Sequence, residues 1–226
     1  MTVTDVNVVK SAIFERPDDA NKGTLGSLLC VCGSYGMAGA AVMSAKGALR
    51  TGIGLAKCAL PRSIYPIVAQ TILESVYYPL SENADGRISK VNVSFLVSES
   101  CKSSATLVGC GLGVCDDTLK IVFSLIENST TPLVLDADAL NCVAKQPEIL
   151  LRKKAPIIIT PHPGEMSYRS CNSACKCGKG ESCPRFCTKV RCCNRSQRSR
   201  NGNCLAKRQG ACEPDRQFGN GNRRQR

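Results

Sequence analysis

The chain has 226 residues and a formal net charge of +12, which would suggest a nucleic-acid or membrane-surface partner if that charge were evenly spread. Instead, residues 170–226 hold 14 Lys and Arg against three acidic residues, whereas residues 1–169 carry a net charge of only +1. The amino-terminal residues contain no apolar run long enough for a signal peptide or a membrane span. We therefore expect a cytoplasmic protein whose larger part binds neither nucleic acid nor membrane.

The first part of the chain alternates between strand-like and helix-like segments. The run "SLLCVCG" (27–33) is apolar and ends in glycine, which is typical of a strand buried on both faces. The alanine-rich "AGAAVMSAKGALRTG" (38–52) predicts a tightly packed helix that ends at a glycine. A second strand is predicted over "IGLAKCALP" (53–61).

The same alternation continues from residue 104 to residue 160. Apolar runs predict strands at "SATLVGCG" (104–111), "PLVLD" (132–136) and "PIIIT" (156–160), and helical spacing predicts helices at "DDTLKIVFSLIENS" (116–129) and "ADALNCVAK" (137–145). Strands that alternate with helices and are apolar throughout indicate a parallel sheet covered on both faces. The predicted fold class is therefore α/β, with three layers.

Four loops follow the predicted strands and carry the polar residues and glycines of interest. They are "GSYGMAGAA" (33–41), "GCGLG" (109–113), "DADALN" (136–141) and "TPHPGE" (160–165). Ligands of open parallel sheets bind at the carboxyl ends of the strands, where these loops should meet. Taken singly, each loop also has a structural interpretation: glycines to turn the chain, Asp136 and Asp138 as helix caps, and His162 as an ordinary loop histidine.

The order and spacing of "KGTLGSLLCVCGSYGMAGAAVMSAKGALRTGIGLA", "VGCGLG", "LVLDADALN" and "IITPHPGEM" resemble the NAD(P)H-hydrate dehydratases of the ribokinase-like fold. The resemblance covers residues 20 to 167, and the pair "TPHPGEM" and "DADALN" is its most specific part. One departure is Cys110, where the family usually has proline. The resemblance implies a ribokinase-like domain over residues 1–169 and a separate tail over residues 170–226.

The resemblance implies a repair reaction in which hydrated NADH or NADPH (NADHX or NADPHX) loses water. Hydroxide is a poor leaving group, so the family uses ADP or ATP with Mg2+ to phosphorylate the ring hydroxyl before elimination. Carried onto this sequence, the family places Ala40, Gly111 and His162 against the hydrated nucleotide, with Asp138 and Asn141 lining the same cleft. Small residues let the backbone approach a flat ring, and histidine can relay a proton near neutral pH.

Two further family motifs are expected after residue 169 and do not occur there. They are a Lys-Gly-Ala-x-Thr loop for the nucleotide and Gly-Gly-Ser-Gly-Asp, whose aspartate is the catalytic base. Read one base later, codons compatible with "DRQFGNGNRRQR" and a stop permit "TGNSGMATGGSGD", and those of "NRSQRSRNGNC" permit "TVVKGAGTVIA". We therefore hypothesise a frameshift between Ser167 and Arg169, which leaves this chain without its catalytic base.

Two other functions remain open from the residues. One is a vitamin-precursor kinase of the same fold, against which "TPHPGEM" argues. The other treats the tail, with nine of the 16 cysteines, as a metal- or nucleic-acid-binding module. The tail has neither the C-x2-C spacing nor the histidine of common zinc sites, and only two aromatic residues.

Further expectations follow from the frameshift hypothesis and from the resemblance. The tail has too few apolar residues to offset the entropy of ordering, so it should be disordered. Loss of the final strands should leave an unpaired sheet edge. The resemblance implies an NAD(P)H-hydrate epimerase in the same pathway, and we expect a homo-oligomer when the domain is intact.

Overall fold

The computed structural model describes residues 19–21, 23–162 and 193–194. Its centre is a single sheet with the strand order β3-β2-β1-β4-β5-β6-β7, and every strand pairing is parallel. The strands are β1 (Ser27–Val31), β2 (Leu55–Pro61), β3 (Val76–Leu80), β4 (Ala105–Val108), β5 (Leu133–Leu135), β6 (Ile157–Ile159) and β7 (Cys193–Asn194). The predicted parallel sheet is therefore confirmed.

Helices cover both faces of this sheet, which makes the three layers that the sequence predicts. They are α1 (Ala38–Arg50), α2 (Tyr65–Thr71), α3 (Val93–Cys101), α4 (Asp116–Asn128) and α5 (Asp138–Lys145), with 3-10 turns at Lys90–Asn92 and Pro147–Arg152. Buried residues of α1 and α2 pack on one face, and those of α3, α4 and α5 pack on the other. Side chains of β1 and of the residue after it alternate between the two cores, with Leu29 and Val31 in one and Cys30 and Cys32 in the other.

The region between β2 and β4 contains three elements that the sequence patterns do not predict. These are α2, β3 and α3. Strand β3 reads "VYYPL"; Val76 is exposed and Pro79 cannot donate a ladder hydrogen bond, so the run lacks the continuous apolar character of the inner strands. Its position at the edge of the sheet explains why proline is tolerated there.

The strand order reverses direction between β1 and β4. The chain runs from β1 outward through β2 to β3, returns to β4 on the other side of β1, and then continues through β5 to β6. Such a switch point opens a crevice at the carboxyl ends of the two central strands, where ligands of this fold class bind. The loops after β1 and β4, which contain both glycine-rich motifs, lie at this crevice.

The predicted tail over residues 170–226 lies outside the described residues, apart from Cys193–Asn194. These two residues form β7, which pairs with Ile158 and Ile159 of β6. The expectation of a wholly unpaired edge at β6 is therefore wrong for those two positions, because backbone groups of the tail occupy them. Within the described part of the chain, no helix is both long and apolar enough to cross a membrane.

Candidate functional site

The two glycine-rich loops at the switch point are bonded to each other. The backbone N–H of Gly33 donates to the carbonyl of Cys110 at 2.9 Å, and the buried Ser34 hydroxyl donates to the carbonyl of Gly111 at 2.8 Å. Both bonds use polar groups that would otherwise be buried without partners. The loops after β1 and β4 are consequently held together and form one continuous surface, the floor of the candidate site, at the carboxyl end of the sheet.

Ala40 and Gly111 lie directly against each other in this floor. Ala40 is in the first turn of α1 and half-buried, while Gly111 is buried with φ +71°. A Cβ added to Gly111 would lie 2.7 Å from the Cβ of Ala40, which is closer than real carbon atoms approach. The site therefore requires glycine at 111 and a small residue at 40, as the resemblance leads us to expect.

Gly109 brings the β4 loop against the start of α5. Its φ is +126°, and an added Cβ would lie 1.8 Å from the carbonyl oxygen of Asp136 and 2.7 Å from the Cβ of Ala139. No side chain fits there without movement of the backbone. Glycine is thus needed for close approach at this position as well as for the turn.

Asp138 and Asn141 lie next to each other at the beginning of α5. One Asp138 carboxylate oxygen accepts a hydrogen bond from the N–H of Gly113 at 2.8 Å, and the other accepts from the Asn141 amide at 3.4 Å. The helix has Ala137 as its N-cap and no side-chain capping bond, so the interpretation of Asp138 as a helix cap is wrong. Asp138 instead holds the "GCGLG" loop against α5.

Asp136 is a site residue that the sequence analysis did not select. Its carboxylate accepts hydrogen bonds from Thr160 Oγ1 at 2.6 Å and from Cys110 Sγ at 3.3 Å, so it joins the loops that follow β4, β5 and β6. The next residue, Ala137, has φ +46° and ψ −116°. A non-glycine residue in that region costs about 1–3 kcal/mol, and such strain is concentrated at functional sites. The two aspartates of "DADALN" mark this loop in the sequence, but the sequence does not show that Asp136 joins three loops.

His162 lies two residues beyond Thr160 at the same end of the sheet, and its side chain is exposed. The N–H of Thr160 donates to the carbonyl of Leu135 at 3.2 Å, which fixes the chain just after β6 and positions His162 at this end of the sheet. The structure therefore brings Ala40, Gly111, Asp138, Asn141 and His162 to one end of one sheet, which is the arrangement that the motifs predict.

A loop over residues 81–89 forms a further wall that the sequence analysis missed. Arg87 donates to the carbonyl of Val114 at 3.1 Å and packs against Gly113, while Asn83 donates to the Asp117 carboxylate at 3.1 Å. On its other side the loop accepts a hydrogen bond from the N–H of Tyr35 through the carbonyl of Gly86. It thereby supports both glycine-rich loops at once.

A groove of about 400 Å3 opens beside these loops, between the beginnings of α1 and α2. Its volume lies within the range of small-molecule pockets. Most of its lining is small or apolar, and it comprises Tyr35, Gly36, Ala38, Gly39, Ser63, Ile64 and Ile67. Tyr35 is 74% exposed, so it lies at the rim of the groove.

The metal-binding capacity of the described residues is small. Residues 19–21, 23–162 and 193–194 contain no group of three or more His, Cys, Asp or Glu that could hold a metal ion. The glycine-rich loops can present a flat surface to a ring. The carboxylates of Asp136 and Asp138, the amide of Asn141 and the imidazole of His162 lie at the border of that surface.

Comparison with known proteins connects this geometry to a family. Residues 28–192 match the family model described as NAD(P)H-hydrate dehydratase. The chain is 36% identical over 152 residues to a bifunctional NAD(P)H-hydrate repair enzyme of Thermofilum pendens, covering 67% of this chain and 29% of that protein. It is 31% identical over 153 residues to an ADP-dependent (S)-NAD(P)H-hydrate dehydratase of Neisseria meningitidis, covering 66% of this chain and 47% of that one.

Solved structures give the same relationship. The ADP/ATP-dependent NAD(P)H-hydrate dehydratase of Bacillus subtilis, co-crystallised with ATP and Mg2+, superposes with a TM-score of 0.56 at 27% identity and covers 73% of this chain and 54% of that chain. A ribokinase-like superfamily protein of Enterococcus faecalis superposes with a TM-score of 0.66 at 17% identity, covering 82% of this chain and 62% of that one, and supports the ribokinase-like fold alone. The chain spans less than half the length of the two relatives compared by sequence.

Proposed function

Since the chain belongs to the NAD(P)H-hydrate dehydratase family, we propose that residues 1–169 are the ring-binding part of an ADP- or ATP-dependent enzyme that restores NADH and NADPH from their hydrated forms. The observation that carries this proposal is that the "GSYGMAG", "GCGLG" and "DADALN" loops and residues 160–162 lie at the same carboxyl end of the sheet, around its switch point. Loops of this composition at this place suit a flat, polar ligand.

Each proposed site residue has a distinct role toward the hydrated nicotinamide ring. Ala40 and Gly111 provide the flat contact surface, because no larger side chain fits between them. His162 donates or accepts a hydrogen bond at the ring hydroxyl. Asp138 and Asn141 keep the "GCGLG" loop in position at the border of the ring site.

The chemistry needs a better leaving group than hydroxide. ADP or ATP with Mg2+ would supply a phosphoryl group to the ring hydroxyl, and phosphate then departs with its electrons. The proton that is removed requires a base, which the family's Gly-Gly-Ser-Gly-Asp motif provides and this chain does not contain. We therefore expect no turnover by the chain as it stands.

The frameshift hypothesis accounts for the missing base. Strand β7 ends at Asn194, the residue at which the next-frame reading "TVVKGAGTVIA" begins, and it pairs with β6. A strand beside β6 at that point would deliver the nucleotide loop to the carboxyl end of the sheet. The bases under residues 170–226 decide the matter: if the next frame does not encode both motifs, the hypothesis fails.

The function itself is tested with two proteins, this chain and a chain in which the next frame is restored after Ser167. Each is given NADHX with ADP or with ATP and Mg2+, and NADH is followed by its absorbance. We expect turnover only from the restored chain, at a rate at least about 10²-fold above that of this chain, which is the usual contribution of one acid–base group.

A vitamin-precursor kinase would give the opposite pattern. The restored chain would then transfer phosphate to an alcohol of a vitamin precursor and leave NADHX unchanged. Stoichiometric zinc in the purified chain would instead favour the tail as a metal-binding module. The first result would contradict the proposed dehydratase, and the second would contradict the frameshift hypothesis.

The proposed partners and location follow from the same relationship. An epimerase that equilibrates the two hydrates is expected in the pathway, in agreement with the name of the bifunctional relatives. A homo-oligomer of the intact domain would cover the apolar side chains that α1 and α2 expose, among them Met43 and Ile67. We place the enzyme in the cytoplasm, whose reducing conditions suit the seven free cysteines of the described residues.

A further inference from the structure

Four cysteines meet on one face of the sheet, close to the candidate site. Cys30 and Cys58 are register partners on β1 and β2, Cys32 follows β1, and Cys110 packs against the same apolar cluster. All four are free thiols. Three of them are buried, whereas Cys110 is half-exposed.

The backbone at Gly109 explains why Cys110 is on this face. In a regular strand Cys110 would share the face of Val108, which belongs to the opposite core. Gly109 interrupts the alternation with φ +126°, and Cys110 then turns toward the core that contains Cys32. The contact between these two thiols is thus a product of the same glycine that shapes the site.

The backbone positions of Cys32 and Cys110 suit a disulfide. Val31 and Val108 are register partners, and the N–H of Gly33 bonds to the carbonyl of Cys110 at 2.9 Å. This backbone bond places Cys110 beside the peptide that joins Cys32 to Gly33, so the two cysteines are neighbours where β1 and β4 end. A disulfide requires such a close approach, since its Cα atoms lie about 4.4–6.8 Å apart.

The polar surroundings give the two thiols different roles. The Cys110 thiol donates to Asp136 Oδ2 at 3.3 Å. The neighbouring Cys32 thiol lowers the pKa of Cys110, whereas interaction with Cys110 together with burial raises the pKa of Cys32. Because Cys110 is half-exposed and Cys32 is buried, Cys110 is the thiol that a peroxide can reach, and Cys32 is the neighbour behind it.

We propose that Cys110 and Cys32 form a peroxide-sensitive pair in which Cys110 is oxidised first and Cys32 then closes a reversible disulfide between the two glycine-rich loops. The proposal does not depend on the dehydratase activity. The oxidant is a hydroperoxide, and a cellular thiol reverses the reaction by exchange.

The chemistry balances in two steps. The Cys110 sulfur attacks one peroxide oxygen, the O–O bond breaks, and the departing hydroxide leaves as water with the proton that Asp136 has accepted. Sulfur is oxidised by two electrons to a sulfenic acid, and the peroxide is reduced. The Cys32 sulfur then attacks the Cys110 sulfur, the S–O bond breaks, and hydroxide leaves as a second water with the thiol proton of Cys32.

The bond can be detected in the full chain without any activity. Trypsin places Cys32 in the peptide of residues 23–46 and Cys110 in the peptide of residues 103–120. The reduced chain is treated with hydrogen peroxide, alkylated and digested without reductant. We expect these two peptides to be cross-linked, fragment ions to assign the bond to Cys32 and Cys110, and dithiothreitol to reverse it.

Matched variants identify the residues. Each peptide contains one other cysteine, Cys30 or Cys115, so Cys30→Ala and Cys115→Ala should retain the cross-link. Cys32→Ala and Cys110→Ser should reduce it at least tenfold. Absence of the cross-link in the parent chain, its assignment to Cys30 or Cys115, or its persistence in Cys110→Ser would each overturn the proposal.

The order of the two steps has its own test. Dimedone labels sulfenic acids, and Cys32→Ala removes the thiol that would consume one. We expect dimedone on Cys110 in Cys32→Ala after peroxide treatment, and at least tenfold less on Cys32 in Cys110→Ser. Equal labelling of both residues would contradict the assigned order, and circular dichroism on both variants shows whether they are folded.

Discussion

The two ends of the sheet treat their buried polar groups differently. At the amino end of β4, the Ser100 hydroxyl bonds to Thr106 Oγ1 at 2.9 Å and to Ser129 Oγ at 2.7 Å, and all three residues are buried. Nearby, the buried Glu99 carboxylate accepts from Lys102 at 2.9 Å and from the Tyr78 hydroxyl at 3.0 Å. These polar groups satisfy one another inside the protein.

At the carboxyl end, hydrogen bonds hold the loops in place while the ligand-facing surface stays open. Asp136 and Asp138 bind Thr160, Cys110 and Gly113, yet Tyr35 and His162 at the border are exposed. At the amino end, the polar groups bond to one another and so stabilise the fold. At the carboxyl end, the exposed side chains remain available to a ligand. Substitutions at the two ends should therefore separate stability from binding.

The largest loss of stability is expected from a substitution of Gly109, in the loop after β4 at the carboxyl end of the sheet. In Gly109→Ala the new Cβ would lie 1.8 Å from the carbonyl oxygen of Asp136, at a φ that alanine rarely adopts. We expect a loss of about 4 kcal/mol or more in the free energy of unfolding, measured in urea.

Gly47→Ala is its matched control, since the added methyl meets nothing within 4 Å in the interior of α1. It should stabilise the chain by about 0.5–1 kcal/mol. If both variants unfolded at the same urea concentration, the close approach at Gly109 would not exist.

The next effect is expected at the Glu99 carboxylate. In Glu99→Gln the charged bonds to Lys102 and Lys57 are lost, and we expect a cost of about 2–3 kcal/mol near pH 7. The hydrogen bond from Lys102 is the main cause that lowers the pKa of Glu99 below its usual 4.5. Its stabilisation is therefore complete above the unfolded pKa and is lost as pH falls through the lower native pKa.

Urea unfolding of the parent chain and of Glu99→Gln between pH 7 and pH 3 tests this. The difference between them should shrink as the pH falls from about 4.5 through the lower native pKa of Glu99, because the side chain of the parent then also becomes neutral. A difference that stays constant over this range would mean that Glu99 acts by packing alone.

A smaller effect is expected in the hydroxyl network. Ser100→Ala removes a partner from both Thr106 and Ser129, which should cost about 1–2 kcal/mol. Adding Thr106→Val should cost less than the sum of the two single changes, because the unpaired hydroxyl is removed as well. Ser98→Ala, on the exposed side of α3, should be close to neutral; strictly additive costs would contradict the network.

The smallest effect on stability is expected at His162. Because its side chain is exposed, His162→Ala should change the free energy of unfolding by less than about 1 kcal/mol. In the frame-restored chain the same change should lower kcat/KM for NADHX about 10–100-fold, the loss of one hydrogen bond to the substrate. Unchanged kcat/KM would remove His162 from the proposed ring site.

Long, strongly patterned segments could be predicted from the sequence, and short or mixed segments could not. The helix predicted over 116–129 is observed as Asp116–Asn128, because its apolar residues recur at helical spacing and its acidic first turn suits the helix dipole. The elements α2, β3 and α3 were missed because they are short and partly exposed, so their residues carry little periodicity.

For the site, the motifs determined which loops matter but not how they contact one another. Composition and order alone were enough for the α/β class, because alternating strand and helix patterns rest on residue type and spacing along the chain. The set Ala40, Gly111 and His162 follows from the resemblance to the family, and it stays a prediction, as does the division of the chain near residue 169. Only the tertiary structure decided that Asp138 binds a loop instead of capping its helix.

The same holds for Asp136, which joins three loops, and for Cys110, which meets Cys32. Those contacts depend on strand order and on single backbone angles at Gly109 and Ala137. Sequence periodicity does not encode the direction in which a loop leaves its strand. The sheet had to be assembled before these side chains had neighbours.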